Sequence, residues 1–233
     1  MPVNPVTIVV LSKYADFFHG FRDSMTSFAP SVPCIVVRDE FNFDCPEEER
    51  WTLVQGRDPF SMAGNCNIGW KAAPSSHDIL YCGDDVRFLA PDTAERLRDL
   101  AYSDPLIGIL SPRISGGVGN PLQYTPDPYN DLTYSKMYLC FPCVYIKRAV
   151  IDTIGYLDEQ FSQYGWDDVD YSLRTKNAGF RLAVTSRVVV HHGLDGIGAN
   201  CTFLRSIGRE GVNIQDGHNR ELFYKKWGHA SLE

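Results

Sequence analysis

No run in these 233 residues approaches the ~18 consecutive apolar residues of a membrane-spanning helix, so no transmembrane span is expected. The apolar stretch from Val6 to Leu11 is too short for a secretory signal core, and no basic segment precedes it; a cytoplasmic protein is expected. Positive charge is in short supply, with 22 Lys and Arg against 29 Asp and Glu and a net charge of -7. Non-specific nucleic-acid binding, which needs cations along a phosphate backbone, is disfavoured, although a local patch can still hold a charged acceptor. The seven cysteines have no regular spacing. Cys140 and Cys143 form a CxxC without the second pair that a zinc site uses, so the cysteines read as free thiols, partly in the core. Internal repeats, low-complexity stretches and Ser/Gly/Pro-rich linkers are all missing, which points to one domain over residues 1–233.

What is present is core material: 44% of residues are hydrophobic and 12% aromatic. "VTIVVLS" is a β-branched apolar run and reads as a strand buried on both faces. "ADFFHGFRDSMTSF" has helical spacing through Phe17, Phe18, Phe21 and Met25. "SVPCIVVRDE" and "HDILYCGDD" read as strands, with the short helix "MAGNCNIGWKAA" between them. Pro91 and Asp92 open the helix "APDTAERLRDLAYS". "LIGILSPRI" and "RLAVTSRVVVHH" are further strands, "YLCFPCVYIKRAVIDTIG" is strand then helix, and "DVDYSLRTKNAGF" is a helix stopped at Gly179. The tail "NRELFYKKWGH" is helical. Alternation of this kind predicts an α/β fold with a mostly parallel central sheet flanked by helices.

Ligands of such sheets gather at the carboxyl ends of strands. Polar residues recur at those places: Ser12, Lys13 and Tyr14; Arg38, Asp39 and Glu40; Asp84 and Asp85; His191 and His192. Taken alone, Asp84 and Asp85 have two readings. Aspartates are ordinary turn residues, and carboxylate pairs fixed at a strand end also suit hard divalent cations.

The motifs "PFSMAGNCNIGWKAA", "DILYCGDDV", "GYLDEQF", "GWDDVDYSLRTKNAGFRL", "VVVHH" and "FYKKWG" follow one another in this order. The succession resembles glycosyltransferase family 2 and its neighbours of the GT-A fold, the nucleotide-sugar-dependent transferases, over nearly the whole chain. The resemblance implies a single Rossmann-like GT-A domain, with a donor half at 1–112 and an acceptor and catalytic half at 113–233. Gly83, Asp84 and Asp85 fall on a D-x-D-like motif, with Asp85 as metal ligand, Asp84 near ribose and sugar, and Gly83 where an acid or Asn is usual. Asp39 falls where the nucleotide base is held, Asn65 where the sugar-nucleotide pocket is lined, and Ser12 and Tyr14 beside them. Asp168 takes the position of the catalytic base, with Asp167 before it where Glu is more usual. His191 falls on a metal position with His192 close behind, and Trp166, Asp167 and His192 border the acceptor or sugar.

The implied activity is transfer of a sugar from a nucleoside-diphosphate sugar to an acceptor hydroxyl, with inversion and with Mn²⁺ or Mg²⁺. The acceptor is left open among glycan, lipid-linked precursor, protein, small molecule and modified nucleic acid. The chemistry is coherent, because a hydroxyl is a poor nucleophile and needs a carboxylate to take its proton as it attacks.

Plainer roles stand beside these. Asp167 or Asp168 can simply cap a helix, Asp170 and Arg174 are spaced as an i,i+4 pair, and Trp70 suits the core. Trp166 suits core and sugar stacking equally. The turn-rich insert at 115–137 is either an acceptor lid or a surface loop. Two other functions compete. A nucleotidyl transferase would carry a Gly-rich loop after the first strand, but no glycine comes before Gly20. A non-catalytic carbohydrate-binding protein would have lost Asp85 or Asp168.

Overall fold

The structure, a computed structural model, describes residues 3–39, 49–117, 120–193 and 217–228. Its centre is the unbroken apolar strand β1 (Val6–Ser12), every residue of which is buried. Beside it run β2 (Cys34–Arg38), β3 (Trp51–Gln55) and β4 (Asp78–Gly83). The remaining strands are β5 (Val86–Phe88), β6 (Ile107–Ser115), β7 (Leu132–Ser135), β8 (Cys143–Ile146) and β9 (Arg181–His192). They form one nine-stranded sheet in the order β3-β2-β1-β4-β8-β6-β9-β5, with β7 also paired to β9. The β3-β2-β1-β4 part is wholly parallel. Beyond it, β8 lies antiparallel between β4 and β6, and the sheet becomes mixed.

Helices cover both faces. On one face lie α1 (Ala15–Phe28) and α3 (Thr93–Ser103), whose Phe18, Phe21, Met25, Leu97 and Ala101 join a core with Val10 and Leu80. On the other lie α2 (Met62–Ala72), α5 (Arg148–Ile154) and α6 (Asp167–Asn177), burying Trp70, Ile151 and Tyr171. A side chain on Gly69 would meet Val37 Cγ2 at 2.8 Å and clash with Val9, so this glycine brings α2 close onto β1 and β2. The four-residue α4 (Pro121–Tyr124) lies in the insert, and α7 (His218–Trp227) closes the described chain. Phe223 of α7 packs with Phe161, Val169 and Leu173 in a third, smaller core.

Asp78, at the start of β4, is a fully buried polar hub. Its carboxylate accepts from Tyr145 OH at 2.6 Å, Tyr102 OH at 2.9 Å, Asn4 Nδ2 at 3.0 Å and Arg148 N at 2.8 Å. One carboxylate thereby ties together the N-terminal segment, α3, β8 and the start of α5.

The main departures from the sequence reading are additions. "WTLVQ" and "VRF" are strands, β3 and β5, that the pattern did not mark. The insert carries a strand: its β7 pairs antiparallel with Thr185 to Leu182 of β9. Cys34, Cys66, Cys82 and Cys143 are buried and Cys140 is partly so, and all five are free thiols. Among the described residues, no helix is long and apolar enough to cross a membrane.

Candidate active site

In a parallel sheet the strand order reverses where a crevice opens at the carboxyl ends. Here that place lies between β1, which leads out to β2 and β3, and β4 on its other side. Ser12 ends β1 and donates its hydroxyl to Asp84 Oδ2 at 2.7 Å across the crevice. Asp39 follows β2, and its N–H reaches the Ser12 carbonyl at 2.9 Å. The Asp39 side chain is buried, with Lys13 Nζ at 3.5 Å, and no hydrogen bond among the described residues reaches its Oδ2. Tyr14 caps the start of α1 and meets Phe17 edge-on. Glu40, named with these residues, lies outside the described ones.

Below the crevice, the turn after β4 is braced by Arg87. Its guanidinium donates to the carbonyls of Asp84 at 2.7 Å and Val86 at 2.9 Å, in space that a side chain on Gly20 would take. Asp85 then faces β9. Its Oδ2 lies 3.4 Å from His192 Nε2, and both side chains are buried. The Asp85 carbonyl accepts from Gly193 N at 3.0 Å. His192 Nδ1 bonds the Gly117 carbonyl, which can only accept, so Nδ1 carries the proton and Nε2 faces the carboxylate. Burial works against the charged imidazole, but Asp85 and that carbonyl outweigh it, and the His192 pKa is raised.

The histidine that meets Asp85 is therefore His192 and not His191. His191 points to the opposite face of β9, where its Nδ1 lies 3.1 Å from Ser115 Oγ. Strand alternation separates the two completely, since β5–β9 pairing sets Val86 against His192 and Arg87 against His191. Gly83 acquires a reason at the same time. A Cβ there would stand 2.8 Å from Asp85 Oδ1, so a side chain would push that carboxylate off its present position.

The opposite wall is built by α2. Seven of its residues are buried, including Asn65 and Asn67, and Ser61 caps it by accepting from Gly64 N at 3.1 Å. Asn65 Oδ1 accepts from Arg57 N at 2.7 Å, which fixes the segment before the helix. Asn67 donates to the Leu157 carbonyl and Glu159 Oε1, each at 2.9 Å, and accepts from Leu157 N. Glu159 pairs in turn with Arg57 at 2.6 Å. Asn65 thus positions a wall of the crevice through the backbone.

Asp167 and Asp168 start α6 after a backbone of unusual shape. Gln163 has φ 56°, Gly165 +95° and Trp166 71°, all in the left-handed region. Asp167 is buried, and Asp168 is partly open. Desolvation pushes the Asp167 carboxyl up to about 7, helped by the charge of Asp168. Desolvation also pushes Asp168 up to about 6, against backbone N–H groups of Val169 and Phe141 that favour the anion. The two titrate as a pair. A carboxyl raised toward neutrality, half-open at a helix start, is poised to exchange a proton.

Asp170 has the structural role that its spacing suggests. Fully buried, it takes Arg174 Nε at 2.8 Å, Lys226 Nζ at 2.7 Å and Trp227 Nε1 at 2.8 Å. Trp70 is core, edge-on to Tyr171. Trp166 is half-buried against Phe223 and Tyr224, at 4.9 and 5.6 Å between ring centroids.

Tyr164 is the residue that the sequence reading missed. Its hydroxyl is raised well above the usual tyrosine range by burial first, and then by the charges of Asp168, Asp85 and Asp167. It feels the charges of both acidic groups. Its adjacency to "GWDD" was the available signal. Among the described residues no group of three or more His, Cys, Asp or Glu is arranged to hold a metal by itself.

No family model matches the chain, and neither does any curated protein. Solved structures do. GalNAc-T7 with UDP, GalNAc and Mn²⁺ matches with a TM-score of 0.68 and 11% identity, over 98% of this chain and 51% of that one. S. aureus TarS 1-349 matches with a TM-score of 0.59 and 14% identity, over 81% of this chain and 60% of that one. A second S. aureus TarS structure gives 0.57 and 13%, over 95% and 42%. The chain therefore spans about half the length of the structures it matches. TarS and GalNAc-T7 are glycosyltransferases of the GT-A type, and the nine-stranded α/β arrangement of this chain is the GT-A fold.

Proposed function

We propose that the chain is a metal-dependent, inverting glycosyltransferase that moves a sugar from a nucleoside-diphosphate sugar to an acceptor hydroxyl. The observation that supports this reading is the strand-end acid pair on a GT-A fold, with Ser12 bonded to Asp84 and His192 facing Asp85. Residues 1–112 supply the donor half and 113–233 the acceptor and catalytic half. Asp84, oriented by Ser12, receives ribose or sugar hydroxyls; the buried Asp39 and nearby Tyr14 receive the base; Asn65 holds the pocket wall. Asp168 takes the acceptor proton. Asp167, beside it, keeps the pair's charge low, and Trp166 borders the acceptor.

Asp85 and His192 are the residues that would hold Mn²⁺ or Mg²⁺. Neighbouring ligands of an octahedral cation at ~2.1 Å lie about 3 Å apart, close to the 3.4 Å between His192 Nε2 and Asp85 Oδ2. Two protein ligands suit a cation that shares the rest of its shell with phosphate and water, and GalNAc-T7 was solved with UDP and Mn²⁺. Such a cation supplies charge neutralisation to the departing diphosphate. Free thiols fit a reducing cytoplasm.

The test is a panel of nucleotide sugars, with and without Mn²⁺, scored by release of nucleoside diphosphate. One donor should be cleaved slowly, and Asp85→Ala should remove that cleavage. If no donor is bound or cleaved under any metal condition, the proposal fails. Gly83→Ala tests the placement of Asp85 more finely. It is expected to weaken Mn²⁺-dependent binding of UDP about tenfold, read by calorimetry, with the melting temperature nearly unchanged.

A further inference from the structure

We infer that Asn219 is a positioning residue, whose side-chain amide holds the backbone of residues 162–166 in the one conformation that presents Asp167 and Asp168 to the crevice. Its catalytic consequence rests on the role proposed for Asp168; its geometry does not. Three of the four residues from Gln163 to Trp166 are left-handed, and two of them carry side chains that disfavour that region. Such a segment persists only where its surroundings hold it. The two N–H groups of Asn219 Nδ2 donate to the carbonyls of Ser162 at 2.7 Å and Gly165 at 2.9 Å, with that of Tyr164 sharing one of them at 3.3 Å, and Oδ1 accepts from Ser162 N at 3.1 Å. The remaining carbonyl, that of Gln163, accepts from Met62 N at 2.7 Å at the start of α2. The carbonyls of Ser162, Gln163 and Gly165 are thus each held from another helix, and that of Tyr164 shares the Asn219 amide.

Asn219 is 8% exposed, so water cannot replace these bonds cheaply. The geometry also selects the residue. Aspartate would set a carboxylate against three carbonyls, and serine is too short to reach them all. Further along α7, Lys226 binds Asp158 at 2.8 Å, and Lys226 and Trp227 bind Asp170. The helix therefore grips the chain on both sides of the acidic pair. Titratable groups that act on the pair or feel it from neighbouring elements are Cys66, Tyr81, Tyr138 and Tyr164, with Asp85 near Tyr164.

The experiment compares the full chain with Asn219→Ala, Asn219→Ser and, as a stability control in the same helix, Leu222→Ala. The carboxyls of the pair are followed by ¹³C-aspartate NMR across pH and identified by their loss in Asp167→Asn and Asp168→Asn. Loosening the loop admits water, so the pair's midpoints should fall by about one pH unit in Asn219→Ala. With the donor found in the panel, kcat should fall about 10- to 100-fold while donor KM stays within about twofold. Leu222→Ala should lower the melting temperature without moving the midpoints. If Asn219→Ala does not fold, Asn219→Ser is read in its place. Unmoved midpoints in a folded Asn219 variant would overturn the inference and leave Asn219 as a helix-docking residue. A shifted titration in a protein that cleaves no donor would support the positioning role while removing the glycosyltransferase reading.

Discussion

Asp168→Asn is expected to lower sugar transfer by about 10³-fold or more while leaving binding of the donor intact. A positioned base contributes roughly 10²–10⁴-fold, and an amide of the same shape cannot take the acceptor proton. The proposed donor contacts lie elsewhere: Ser12 bonds Asp84, His192 faces Asp85, and the Asp168 carboxylate accepts from Val169 N. The pH dependence follows from the raised carboxyl. As the proposed base, Asp168 would be protonated and idle at low pH, so the rate should rise through about pH 6, well above the ordinary aspartate value of ~3.9. The sign for stability is opposite. A carboxyl with a raised folded-state pKa favours folding below its unfolded value, and that contribution is lost as pH rises toward the folded one. Asp168→Asn should therefore melt higher than the native protein at pH 8, and the difference should vanish near pH 4. Steady-state rates, donor titration and melting curves at the two pH values check all three statements. Retained transfer by Asp168→Asn would remove it as the base.

Asp78→Ala should cost about 3–5 kcal/mol of stability and leave much of the chain unfolded at 37 °C. The carboxylate is fully buried, and removing it strands four donors on four separate parts of the chain: Asn4, Tyr102, Tyr145 and Arg148. Each stranded donor carries a desolvation penalty of ~1–3 kcal/mol, partly relieved by water entering the cavity. Asp78 lies at the opposite end of β4 from Asp84, so the loss should appear in the urea midpoint, not in the rate per folded molecule. Asp78→Asn keeps the shape but loses acceptor capacity and should fall between the two. A midpoint within 1 kcal/mol of the native one, taken as roughly the cost of a single net hydrogen bond, would show the hub to be dispensable.

The first half of the fold was legible because its signals are local. Apolar runs mark β1 and β4, the spacing of Phe17, Phe18, Phe21 and Met25 marks α1, and the strand ends place Ser12, Asp84 and Asp85 together. β3 was not, because its side chains are largely exposed at the sheet edge and give no run. The choice between His191 and His192 could not be made from "VVVHH". Adjacent residues in a strand take opposite faces, and only the pairing of β9 with β5 fixes which one faces Asp85. Asn219 carried no signal at all. It is one polar residue among many in a polar helix, and its partners lie 54 to 57 residues away.

That separation orders events during synthesis and folding. The sheet, its two faces of helix and the strand-end crevice are complete by His192, and they can form as the chain emerges. The loop that carries Asp167 and Asp168 is fixed only when α7 arrives to grip it, closing long stretches of chain at an entropic cost. A nascent or partly opened chain is thus able to hold the fold before it can hold the geometry of the acidic pair, and that geometry is lost while the sheet still stands.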